Sequence, residues 1–174
     1  MPSVRLGSWA VGTAASLVGA GQFAKQSYSP IKKAFNSFKQ KTANSALQRQ
    51  VYVSNNQLMN NPKLVEENLS LRQYQIVQRE PHFGRMNYGK AVENNTARII
   101  ENNPLLKNAF QHKGGVSQPD FVGTGIFKGT GAFEVTTNNP ATISKHLKRT
   151  YVKKDLSNLA TYSMPTDVVK LFFP

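Results

Sequence analysis

Apolar residues recur at three- and four-residue steps through Ile31, Ala34, Phe35 and Phe38, with lysines opposite them. That spacing predicts an amphipathic helix over 31–50. Residues 51–80 predict one or two further polar helices, with Pro62 placed for a first turn. Ahead of them, Leu6 to Ala24 carries no charge and mixes Trp9, Val11, Leu17 and Val18 with glycine, alanine and hydroxyl residues. It is long enough to span a bilayer, yet too weakly apolar to make a good span or secretory signal. A helical hairpin or linker within a larger parent protein is the favoured reading, and membrane contact by residues 6–24 the less favoured one.

The pattern changes near residue 81. A helix is predicted over 87–101 and is closed by Asn102-Asn103-Pro104; a short helix carrying Leu105, Leu106 and Phe110 follows. Gly114-Gly115 turns the chain into two strands, about 119–128 and 132–137, joined by Gly129 to Gly131. Asn138 or Asn139 can cap the next helix, with Pro140 in its first turn and an end near Arg149. Residues 157–164 alternate as a strand does. The expected class is α/β (α+β): a helical, basic region over 1–80, then a short mixed sheet flanked by helices over 81–174.

Charge narrows the partners. The 174 residues hold 22 Lys and Arg against 9 Asp and Glu, a formal charge of +13, and no acid precedes Glu66. Such an excess favours a polyanion, since each phosphate neutralised releases counterions. The absence of cysteine excludes disulfide scaffolds, zinc ribbons and thiol nucleophiles. His82, His112 and His146 are too scattered for a zinc site at helical spacing. Any resident metal should therefore be a hard, oxygen-bound one, Mg²⁺ or Mn²⁺.

Three acids stand out. On the 87–101 helix, Ala97, Ile100 and Thr96 all lie within about 60° of Glu93 at 100° per residue. Glu93 thus falls on the inward, apolar arc, where an uncompensated carboxylate costs several kcal/mol. Glu101 sits on the solvated flank. In the strand Phe133-Glu134-Val135-Thr136, Glu134 and Thr136 point opposite to Phe133 and Val135. A hairpin closed at the glycines brings Asp120 beside Glu134, and two adjacent carboxylates favour a divalent cation between them. Exposed strand acids are ordinarily solvated, so it is the convergence of three that carries the reading. No G-x-S-x-G elbow, Walker loop or dinucleotide fingerprint is present.

Pro119-Asp120, followed fourteen residues after the Asp by Glu134-Val135-Thr136, resembles the PD-(D/E)XK restriction-endonuclease motif, and Glu93 the acidic helix ahead of it. More narrowly, Tyr88-Gly89-Lys90-Ala91-Val92-Glu93, Pro119 to Gly123, Phe133 to Thr137 and His146-Leu147 resemble restriction-endonuclease-like C-terminal toxin domains of bacterial polymorphic toxins. Those are carried by Rhs, contact-dependent-inhibition and type VI secretion proteins. The likeness covers about residues 84–164. It departs where the motif has Lys: Thr136 stands there, and His146, Lys145 or Lys128 are candidates for that role.

The resemblance implies a restriction-endonuclease-like core and a Mg²⁺-dependent endonuclease, with DNA a more expected substrate than RNA. Glu93, Asp120 and Glu134 would hold the metal, with Thr136 and His146 completing the catalytic set. Lys128, Lys145, Lys148, Arg149, Lys153 and Lys154 would hold the phosphate backbone. It also implies a larger secreted parent protein, delivery into a target cell's cytoplasm and a cognate immunity protein. Two other readings stay open: a ribonuclease toxin directed at tRNA, and a non-enzymatic basic nucleic-acid-binding module.

Overall fold

The structure, a computed structural model, describes residues 9–115, 117–152 and 155–172, with side chains from residue 30 onward. The chain is mixed α+β: a helical N-terminal region leads into a small four-stranded mixed sheet with helices packed on it. Helix α1 (Trp9–Asn60) runs on through Pro30, so the hairpin expected near 6–24 does not form within the described residues. None of the described helices is long and apolar enough to cross a membrane. Short helices α2 (Lys63–Glu67) and α3 (Leu71–Arg79) follow, and Ser70 and Gln73 close a reciprocal capping box at the start of α3. Pro62 stands at the position just before α2 and makes no side-chain cap bond.

Compact units divide between Phe38 and Lys39, not at the expected 80/81 boundary. The cause is the second half of α1. Its residues Ala43, Leu47, Val51 and Leu58 are wholly buried and belong to the same core as Val92 and Phe133. Polar residues of α1 tie it to the rest of that unit. Gln48 donates to the Thr161 carbonyl and accepts from the Thr161 amide, both at 2.7 Å, so its side chain pairs with the backbone of a strand. Ser54 donates to the Val92 carbonyl, and Asn55 accepts from the Tyr88 hydroxyl.

Helix α4 (Gly84–Asn102) buries Tyr88, Ala91, Val92, Thr96, Ala97 and Ile100 on one face. The short helix expected after it is absent. Residues 104–109 form turns, Leu105 is exposed, and Phe110 opens strand β1 (Phe110–His112). A three-residue strand has too few positions to show a period. What fixes it is tertiary: the Phe110 ring packs 5.2 Å from Phe127 and 5.8 Å from Phe133.

Strand β2 (Phe121–Gly123) is shorter than the 119–128 expected. Gly125 adopts φ +46° against the Asn108 carbonyl, and Gly125–Phe127 winds into a single 3-10 turn. Alternating residues cannot reveal such a break, because the glycine ends the ladder. Strand β3 (Ala132–Thr137), helix α5 (Pro140–Leu147), strand β4 (Leu159–Tyr162) and helix α6 (Val168–Phe172) complete the chain. The sheet order is β1-β2-β3-β4, with β1, β2 and β3 antiparallel and β4 parallel to β3 across the α5 crossover.

Candidate active site

A cleft of about 820 Å³ opens where α4, β3 and α5 meet, and Glu93, Asp120 and Glu134 all line it. Phe121 pairs with Phe133, so continuing the register by one residue brings Asp120 beside Glu134. The Asp120 carboxylate is fastened by the Val135 amide, which donates to Oδ2 at 2.8 Å. Glu134 is fully buried in the middle of β3, facing residues of α5 and the turn after it. Asn139 caps α5, accepting from the Ala141 and Thr142 amides, and this orients the helix that delivers His146.

Each glutamate has basic company. Glu93 Oε1 lies 2.7 Å from Lys90 Nζ and 2.6 Å from His112 Nε2. Glu134 Oε2 lies 2.7 Å from His146 Nδ1 and also accepts from the Arg149 guanidinium. Arg149 in turn donates to the Tyr151 hydroxyl. Burial pushes the Glu93 carboxyl up, but hydrogen bonds from His112 and Lys90 win and hold it below its ordinary value. Asp120 has no such cation in contact. Burial first, then the charges of Glu93 and Glu134, push it up to about 8 against the pull of the Val135 amide and Lys90. Near neutral pH it therefore carries its proton.

Two polar atoms in this cluster are buried without a hydrogen-bond partner: Glu134 Oε1 and Thr136 Oγ1. Native interiors seldom leave such atoms unpaired. Thr136, the residue in place of the motif Lys, is only 3% exposed. Among the described residues no group of three or more His, Asp or Glu side chains converges closely enough to hold a metal ion as it stands. The chemistry of Asp120 and Glu134 nevertheless fits a hard divalent cation. One oxygen of Glu134 is unspent, and a cation would relieve both the burial and the neighbouring negative charges that raise Asp120. Glu93 fits less directly, since Lys90 and His112 already occupy Oε1.

The expected backbone-binding residues fall into three places. Arg149 lies in the cleft, bound to Glu134. Lys128, Lys145 and Lys148 are exposed outside it, and Lys39 donates to the Lys128 carbonyl. Lys153 and Lys154 lie outside the described residues. Sequence reasoning missed Lys90, His112 and Tyr162. Lys90 stands three residues before Glu93 on α4 and was legible as an i,i+3 pair. His112 was not, because only the pairing of β1 with β2 carries it to Glu93.

No protein-family model, curated protein or solved structure matches this chain.

Proposed function

We propose that this chain is a metal-dependent nuclease with a restriction-endonuclease-like core, hydrolysing phosphodiester bonds of nucleic acid, DNA in preference to RNA. One observation carries the reading: a wholly buried glutamate with an unpaired oxygen beside a second carboxyl, Asp120, in the cleft of a chain charged +13. The order of one helix, three antiparallel strands, a crossover helix and a parallel strand supports the core assigned by resemblance.

Asp120 and Glu134 would hold the cation, and Glu93 would join them if Lys90 and His112 gave way. A bound Mg²⁺ supplies charge stabilisation at phosphate and a more acidic water. The chain's own part is positioning. The Val135 amide fixes Asp120, while His146 and Arg149 fix Glu134, so neither carboxylate needs to reorganise during reaction. Lys90 and Arg149 bring basic groups into the cleft, and either can neutralise charge developing on phosphate where the motif's Lys is missing. Delivery from a larger secreted parent and restraint by an acidic immunity protein rest on the resemblance alone.

A ribonuclease is the second reading. It is favoured by the two glutamate–histidine pairs, Glu93–His112 and Glu134–His146, which line up acid–base groups without calling on a metal.

The deciding assay incubates the chain with plasmid DNA and with total RNA, each in Mg²⁺ or EDTA, beside Asp120→Ala. Mg²⁺-dependent DNA cleavage that falls at least a hundredfold in the variant is expected, the order of loss when a site group is removed. Cleavage of RNA alone, unaffected by EDTA, would favour the second reading.

A further inference from the structure

The cleft contains a hydroxyl that the reading above does not use. Tyr162 ends β4, is 7% exposed and lines the cleft. Its hydroxyl makes no hydrogen bond among the described residues. The neighbouring tyrosines differ: Tyr88 donates to Asn55 at 2.9 Å, and Tyr151 donates to the Gln118 carbonyl at 3.2 Å. The Tyr162 oxygen is not among the buried unpartnered atoms, so it opens onto the cleft and can meet a ligand there.

The fold makes room for it. A Cβ at Gly89 would lie 2.8 Å from the Tyr162 oxygen, closer than side chains tolerate. Glycine inside a helix is less stable than alanine there, yet Gly89 sits within α4, one turn before Glu93. The backbone of Tyr162 is fixed by its strand, and one ring lies near its own. Thr137 pairs with Tyr162 across the parallel ladder, the Asn138 amide donates to its carbonyl at 2.9 Å, and Tyr88 lies 6.3 Å away between centroids. Burial, then Tyr88, Asp120 and Glu93, push the phenol well above its ordinary value, which keeps it a donor.

We propose that the Tyr162 hydroxyl, admitted to the cleft by the bare Cα of Gly89, donates a hydrogen bond to a phosphate oxygen of the bound nucleic acid. The proposal rests on the nuclease reading for its substrate class. It assigns Tyr162 as a substrate-contacting residue and Gly89 as the position that makes the contact sterically available.

Tyr162→Phe removes the oxygen alone and leaves the ring packing, so its melting temperature should match the parent's. Steady-state cleavage of a DNA oligonucleotide in Mg²⁺ should show kcat/KM down by about tenfold or more, the scale of losing one hydrogen bond to a charged group. Gly89→Ala should slow the parent to a similar degree and add nothing in the Tyr162→Phe background. A parent that cleaves while Tyr162→Phe cleaves equally well would overturn the contact and leave the nuclease intact. Equal losses from Gly89→Ala in both backgrounds would overturn the role of the glycine.

Binding keeps the two ideas separable. Fluorescence anisotropy of a labelled single-stranded oligonucleotide, in EDTA and on the Asp120→Ala chain, should weaken at least threefold on adding Tyr162→Phe. Should the parent cleave nothing, weakened binding would still uphold the contact while the nuclease fell. Unchanged binding in an inactive parent would overturn both.

Discussion

Asp120 is protonated at neutral pH because it is buried beside Glu93 and Glu134, and that has a cost with a definite sign. Its folded value of about 8 lies above the ordinary 3.8, so between those limits the folded chain binds more protons than the unfolded one. Stability therefore falls as pH rises from about 4 to about 8 through this group. Asp120→Asn keeps an oxygen for the Val135 amide and cannot ionise. It should raise the melting temperature at pH 8 by at least about 2–4 °C, equivalent to about 1 kcal/mol, and leave it unchanged at pH 4. Thermal scans at the two pH values check this. Mg²⁺ favours the ionised acid, so it should raise the melting temperature of the parent at pH 8 and not that of Asp120→Asn.

Glu134 presents the opposite balance. Its charge is wholly buried but met by Arg149, whose side chain is 39% exposed. Removing the guanidinium leaves a buried carboxylate with His146 alone. Arg149→Met should cost about 1–3 kcal/mol in urea denaturation, below the figure for fully buried pairs because water screens part of the interaction. In a Glu134→Gln background the same change should cost clearly less. Strict additivity of the two would mean that the pair does not stabilise the fold.

At the scale of elements, α5 joins the site to the sheet. It is eight residues long, starts at Pro140, and depends on the Asn139 side chain to satisfy its first amides. So short a helix has little stability of its own. Asn139→Ala should cost about 1 kcal/mol of folding free energy. It should also speed amide exchange across Ala141–Lys145 before it does so in β3, an order that hydrogen exchange can resolve. This cap was legible in the sequence as Asn139-Pro140, and so was α4 with its inward glutamate. Strand β1 was not legible, because its three residues are held by Phe127, Phe133 and β2, all distant in sequence. The expected extension of β2 past Gly123 failed for a related reason: whether a glycine continues a strand or turns it depends on what lies beside it, Thr130 beside Gly123 and the Asn108 carbonyl beside Gly125.

For the whole molecule, the excess of basic residues predicts binding that weakens with salt. If about four phosphates are neutralised, affinity for duplex DNA should fall about a hundredfold between 50 and 200 mM salt. Titrations at several salt concentrations give the slope, and a flat response would remove the electrostatic basis of the proposal.

Local pattern was enough to indicate the mixed α+β class, a helix over 31–50, the helix expected over 87–101 and the glycine turns, and it singled out three acids. Those depend on periodicity and turn chemistry between neighbours in the chain. Only the tertiary structure decided that the second half of α1 belongs to the core of the sheet, that Gln48 pairs with β4, and which cation meets which acid. The physical reason is common to all three. Each depends on an amide, ring or charge brought in from tens of residues away, and no local pattern encodes where a distant partner will stand.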